Sequence, residues 1–103
     1  MKLIKKLSEM IEEELDGAEA YAKCAVKYRE ENPMLAKTLY DISMDEMRHV
    51  TLLHGEVVRA IEQYRKESGE PPSAMQAVYD YLHGKHIEEA NEVKNYQAQY
   101  KGV

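Results

Sequence analysis

Apolar and small side chains recur every three or four residues along most of the chain, which is the spacing of one face of an α-helix. The first such segment covers about residues 3–31, with Leu7, Ile11, Ala18, Tyr21, Ala25 and Tyr28. The second covers about 33–67, with Leu35, Leu39, Ile42, Leu53, Val57, Ala60 and Tyr64. The third covers about 73–100, with Met75, Tyr79, Leu82, Val93, Tyr96 and Tyr100. No strand pattern is visible, so the sequence predicts an all-α fold of three helices.

Helix-breaking residues divide these segments. Asn32 and Pro33 end the first helix and begin the second, with Asn32 as N-cap and Pro33 at the first helical position. Gly69 lies at the predicted end of the second helix. Ser73 followed by Gln76 matches a capping box for the third helix. The short first link predicts a long antiparallel helical hairpin, followed by a third helix, in one domain spanning 1–103.

Composition and charge narrow the classes of partner. The chain has 14 basic and 19 acidic residues and a net charge of −5, and the basic residues are scattered, which argues against nucleic-acid binding. Small cations are the favoured partner class. No apolar run approaches membrane-spanning length, and the acidic residues in 7–14 do not suit a signal peptide, so we expect a cytoplasmic protein that does not bind membranes. Cys24, the one cysteine, suits a reducing compartment and is expected to be a small core residue.

Three polar residues interrupt the apolar stripes. Glu14 follows Leu7 and Ile11 on the core face of the first helix, and Glu46 and His49 follow Ile42 on that of the second. An isolated carboxylate in such a position costs several kcal/mol unless it is paired, protonated or bound to metal. These residues are therefore candidates for a shared site.

The spacing of the three residues favours a metal ion. Glu46 and His49 are three apart, so both project from one side of a helix, and carboxylate with imidazole suits iron, manganese or zinc. The Glu-x-x-His pattern alone is weak, because about 0.6 occurrences are expected by chance in a chain of this composition. Glu14 strengthens it, since Glu14 and Glu46 lie 18 and 14 residues from Asn32 and should come level in a hairpin. The alternative is a hydrogen-bonded polar layer that sets helix register.

The remaining histidines and the acids near them are expected to lie outside the site. His86 and Glu89, with Glu88 and Glu92 nearby, are expected to form a solvated charged face rather than an auxiliary metal site. His54 and His83 are expected at the surface.

Two sequence runs resemble the ligand signatures of a known family. Residues 14–21, ELDGAEAY, resemble the first-helix signature of bacterioferritins and related ferritin-like proteins, with a ligand Glu, a following Leu and a Tyr seven positions on. Residues 45–49, DEMRH, resemble the second-helix signature. The separation of 32 residues between Glu14 and Glu46 is also similar to that in bacterioferritin and rubrerythrin halves. The resemblance covers about residues 1–65 and departs at Gly17 and Ala20, where bacterioferritin tends to have Ala and Gln.

The resemblance implies a di-iron ferroxidase, an oxidoreductase that oxidises Fe(II) with dioxygen or peroxide. Glu14 would be a terminal ligand, Glu46 would bridge two irons, His49 would cap one, and Tyr21 would lie close by. The chain supplies only half of a ferritin-like ligand set, which resembles the encapsulated ferritins. The implied architecture is a ferritin-like four-helix bundle completed by dimerisation. The implied partners are a second copy, in a homodimer or higher homo-oligomer, and either an encapsulating shell or, for peroxide reduction, a separate electron donor.

Two other functions remain open at this point. A metal-free helical adaptor could use the same apolar stripe to bind a partner helix, and a metal-binding scaffold could hold ions without oxidase activity.

Overall fold

The computed structural model describes residues 2–102, and Met1 and Val103 lie outside the described residues. It contains three helices, α1 (Lys2–Tyr28), α2 (Pro33–Ser68) and α3 (Ser73–Lys101), and no strand within the described range. The predicted all-α class is confirmed. Helix α1 ends three residues earlier than expected, because Arg29 to Asn32 form the turn, which the Asn32 amide closes by donating to the Tyr28 carbonyl over 2.8 Å.

Of the two helix caps predicted from the sequence, the one at α2 is confirmed and the one at α3 is not. Asn32 is the N-cap of α2, and its side chain accepts a hydrogen bond from the Leu35 amide at 3.3 Å, as predicted. The capping box at α3 is wrong. Pro72 is the residue before the first turn there, no side chain caps it, and Gln76 donates instead to Asp80 at 2.9 Å. Proline fixes the extended backbone that precedes α3, so this helix begins without a side-chain cap.

Helix α1 is the central element of the fold. Helix α2 runs antiparallel to α1, and α3 packs along a neighbouring side of α1 in the parallel direction. Lys85 of α3 pairs with Glu12 at 3.3 Å, and further along α3 the Gln99 carbonyl accepts from the Arg29 guanidinium at 2.8 Å. Contacts between α2 and α3 are few. The molecule is a rod with dimensions of 55 × 19 × 17 Å.

The buried strip of α1 differs from the predicted stripe. It contains Ile4, Leu7, Ser8, Ile11, Leu15, Ala18, Ala22 and Ala25. Tyr21 is 37% exposed, so the sequence stripe was wrong at this residue, whereas Tyr28 is half-buried. The physical reason is that α1 packs against two helices, which moves its buried strip toward the side between them.

The apolar stripe of α2 is only partly covered. Leu39, Ile42 and Leu53 are half-buried, and Leu35 is 38% exposed. The fully buried residues of α2 are Ala36, Tyr40, Ser43 and Ala60. One side of the hairpin formed by α1 and α2 therefore keeps apolar surface open to solvent.

A buried polar bridge joins all three helices. The Ser43 hydroxyl of α2 donates to the Ala18 carbonyl of α1 at 2.7 Å, and the Gln97 side chain of α3 donates to the same hydroxyl at 3.0 Å. Tyr40 and Tyr100 stack one turn away, with ring centroids 4.7 Å apart. Because a buried hydrogen bond requires a matching partner, this bridge fixes the axial register of the helices.

Two further expectations can be compared with the fold. Cys24 is exposed rather than a core residue, because it lies outside the buried strip of α1. Among residues 2–102, no helix carries an apolar stretch long enough to cross a membrane.

Candidate metal centre

Glu14, Glu46 and His49 come together in the hairpin, as their spacing predicted. Each offers one ligand atom, and the three atoms lie within 4.8 Å of one another. The Nδ1 atom of His49 is 3.2 Å from the Oε2 atom of Glu14 on the other helix. The antiparallel turn therefore brings Glu14 level with Glu46 and His49. The turn accommodates the difference between the 18 residues from Glu14 to Asn32 and the 14 residues from Asn32 to Glu46.

The two carboxyl groups influence each other strongly. Hydrogen bonding with Glu46 lowers the pKa of Glu14, and the His49 ring lowers it further, against the effect of burial. The same hydrogen bond with Glu14 raises the pKa of Glu46, and burial and the negative charge of Glu14 add to that increase. A proton held between two close carboxyl groups occupies the position in which a cation would neutralise both. The site thus fits a positively charged ligand.

Gly17 lies next to the Glu46 carboxylate. A Cβ atom at position 17 would lie 3.4 Å from the Glu46 Oε2 atom and 3.7 Å from its carboxyl carbon, which are ordinary van der Waals distances. This is one of the two positions at which the sequence departs from the bacterioferritin pattern. An alanine would fit there, so the departure does not change where Glu46 can lie.

The cluster is open on one side. The side chains of Glu14 and His49 are 28% and 41% exposed. Helix α3 packs on the part of α1 that carries Glu12 and Asp16, which point away from Glu14 on the helical wheel. The third helix therefore leaves this cluster uncovered.

Tyr21 lies on the same side of α1 as Glu14, two turns further on. Within residues 2–102, no hydrogen bond joins it to Glu14, Glu46 or His49. Its assignment to the reaction therefore stays a prediction.

A second acidic cluster forms where a solvated face was expected. Glu12 and Asp16 of α1 approach Glu89 of α3, again with ligand atoms within 4.8 Å. The side chains of His86 and Glu89 are only 13% and 21% exposed, so their assignment to a solvated face is wrong. The reason is that α3 turns this side toward α1. Glu88 and Glu92 are exposed, as expected.

The second cluster already contains a cation of its own. Lys85 lies 3.3 Å from Glu12 and 3.8 Å from Glu89, so an ammonium group balances part of the negative charge. Burial, aided by hydrogen bonding and repulsion from Glu12, raises the pKa of Glu89 to about 7. These acids remain separate from Glu14, Glu46 and His49, and α3 does not complete that site.

Sequence reasoning missed an association between the remaining histidines. His54 of α2 and His83 of α3 are exposed, as expected, but their rings stack with centroids 5.2 Å apart. His86 lines the same cleft as both. The spacing of three between His83 and His86 could have indicated a shared side of α3, whereas His54 had no signal without the tertiary packing.

Comparisons with family models, curated proteins and solved structures find no match to this chain. The ferritin-like resemblance therefore rests on the two sequence runs, and the chemistry rests on the geometry of Glu14, Glu46 and His49.

Proposed function

We propose that the protein binds iron through Glu14, Glu46 and His49 and acts as a ferroxidase at a di-iron site shared between two copies of the chain. The observation that carries the proposal is the convergence of two carboxylates and one imidazole from two helices, with their ligand atoms within 4.8 Å. Carboxylate and imidazole ligands suit iron among the transition metals. Ligand sets of this kind, projecting inward from paired helices, are typical of di-iron four-helix bundles.

The residues have separable roles in this proposal. Glu46 offers a ligand atom within 4.8 Å of those of both Glu14 and His49, and its two carboxylate oxygens suit it to contact two ions. The Nδ1 atom of His49 lies 3.2 Å from Oε2 of Glu14, a separation at which both atoms could bind the same ion. Because the pKa of Glu46 is raised by Glu14 and burial, a bound cation would favour its charged form, so binding should release protons at pH values below that pKa.

Oxidation of the bound substrate needs two irons. Two ferrous ions supply two electrons, which together with two protons from solvent reduce one dioxygen to hydrogen peroxide or one hydrogen peroxide to two waters. Glu14 and Glu46 contribute negative charge, which favours the ferric product over the ferrous substrate.

The open side of the hairpin supports assembly of a second copy. Leu3, Met10 and Tyr21 are 56%, 39% and 37% exposed and share one side of α1 with Glu14, at spacings of seven and four residues. On α2, the exposed Leu35 shares a side with His49. An apolar face around an incomplete ligand set fits a twofold partner that buries the face and supplies the other three ligands.

The test of activity uses anaerobic loading with ferrous iron, followed by air. We expect a rise in ferric absorbance and consumption of about one dioxygen for every two irons if peroxide is the product, with no such rise in a Glu46→Ala variant. Binding without oxidation would leave an iron-binding scaffold, and no binding at all would favour the metal-free adaptor.

A further inference from the structure

Three of the four histidines of the chain line one cleft, whose lining includes none of Glu14, Glu46 and His49. The cleft, of about 310 Å³, lies between the second half of α2 and the first half of α3, and His54, His83 and His86 line it. The fourth histidine, His49, belongs to the cluster with Glu14 and Glu46. The imidazoles of this chain are thus divided between two places, and only one of these has a proposed function.

The positions of the three rings are determined by two helices. His83 and His86 are three residues apart on α3 and project to the same side. His54 reaches across from α2, and its ring stacks on His83 at 5.2 Å with an interplanar angle of 25°. This stack is one of the few contacts between α2 and α3.

His86 is oriented by a carboxylate. Its Nε2 atom lies 3.4 Å from Oε2 of Glu12, which in turn pairs with Lys85. A histidine that ligates a metal commonly gives its other ring N–H to a carboxylate, which fixes the ring and leaves the opposite nitrogen as the ligand. The contact with Glu12 leaves Nδ1 of His86 in that role. Burial lowers the pKa of His86, which favours the neutral form that a metal requires.

Two further polar side chains matter in this cleft, whose lining is otherwise mostly apolar. Asp80 also lines the cleft, one turn before His83. Its carboxylate can supply a fourth ligand atom, an oxygen, once its contact with Gln76 is released. The Tyr79 hydroxyl, from the same lining, is buried without a hydrogen-bond partner. An unpartnered buried hydroxyl is costly, and a metal-bound water would satisfy it.

We propose that His54, His83 and His86 form a second metal site, for a divalent ion of the zinc, nickel or copper class. Neutral imidazoles with one water or carboxylate are the ligands that these ions prefer over calcium or magnesium. The three imidazoles do not bring one ligand atom each within 4.8 Å of one another in their present positions, so binding requires the exposed His54 and His83 rings to leave their stack and turn toward His86. A bound ion would tie the first half of α3 to α2, where the two helices otherwise touch little.

The experiment is a titration of the full chain with zinc, followed by the ¹⁵N signals of the four imidazoles. We expect His54, His83 and His86 to change together within two equivalents of zinc per chain, whereas a His83→Gln variant should bind at this cleft at least 10-fold more weakly. The Glu46→Ala variant should keep the three changes, since the carboxylate cluster is a different site. If only the His49 signals change, or if His54 and His83 keep the ¹⁵N chemical shifts of the zinc-free protein at two equivalents of zinc, the proposal is wrong.

Discussion

The Nδ1 atom of His49 lies 3.2 Å from Oε2 of Glu14, although 35 residues separate the two along the chain. The sequence predicted both residues on the core faces of their helices, but they lie beside the buried strips of α1 and α2, at a half-exposed edge. Their contact, with Glu46 beside it, gathers three ionisable groups at that edge. It also concentrates negative charge at one place on the open side of the hairpin.

Replacement of Glu46 by Ala is expected to abolish tight iron binding. Glu46 adjoins both other ligands, so its loss removes a carboxylate that two ions would share and leaves their repulsion uncompensated. Equilibrium dialysis with ferrous iron under anaerobic conditions measures the effect. Asp45→Ala is the matched control, because it removes the same charge from the adjacent exposed position. Equal iron binding by the Glu46 variant and the wild type would exclude this site.

Replacement of Glu46 by Gln should stabilise the metal-free protein at neutral pH. Because the fold raises the pKa of Glu46, deprotonation costs stability as the pH rises from its ordinary value of 4.5 through the raised pKa. Gln keeps a hydrogen-bond donor to Glu14 at every pH and avoids that cost. We expect a gain in the free energy of unfolding at pH 7 that disappears as the pH falls below 4.5, where the Glu46 carboxyl is protonated in both the folded and unfolded states. Urea unfolding at several pH values tests it, with the exposed Glu13→Gln as control; a gain that is independent of pH would contradict the argument.

Replacement of Ser43 by Ala should destabilise the fold by about 1–2 kcal/mol. The variant loses a donor to the Ala18 carbonyl and leaves the buried Gln97 amide without its acceptor. Thr51→Ala, on an exposed part of the same helix, is the control and should change stability by less than about 0.5 kcal/mol. Equal losses in the two variants by thermal unfolding would mean that the three-helix bridge contributes little.

The sequence predicted the helices and the main cluster because both depend on local rules. Helical periodicity located all three helices, and Asn32 and Pro33 located the turn. A tight turn makes the two helices antiparallel, which places Glu14 beside Glu46 without any contribution from α3. The placement of α3 has no such local determinant. Its packing on α1 depends on the fit of many weak contacts, and that fit buried Glu89 and brought His83 to His54.

The same reasoning explains the errors on α1. Periodicity identifies an apolar side but not how many helices cover it, so Tyr21 was expected to be buried and Leu15 was overlooked. The predicted apolar stripe of α1 is wider than the strip that is buried. The apolar residues outside the buried strip lie beside Glu14, on the side that we assign to a second copy.

Introduction of a charge on the open side should prevent assembly. Met10→Glu places a carboxylate on the exposed side of α1 that Glu14 shares, so we expect a monomer at concentrations at which the wild type with iron is a dimer. Val78→Glu is the matched control, since Val78 is an exposed apolar residue on α3, away from this side. Size-exclusion chromatography with light scattering measures both. Dimers that form equally in the two variants would place the interface elsewhere.

The central claim is that two chains share one di-iron site, and sedimentation at micromolar protein with and without ferrous iron tests it most directly. A ligand that binds only the assembled state shifts the equilibrium toward it, so iron should convert monomer to dimer or strengthen an existing dimer, with one iron bound per chain. The Glu46→Ala variant should show no such shift. A chain that remains monomeric while it binds two irons would contradict the account, because one copy contributes only Glu14, Glu46 and His49 to the centre.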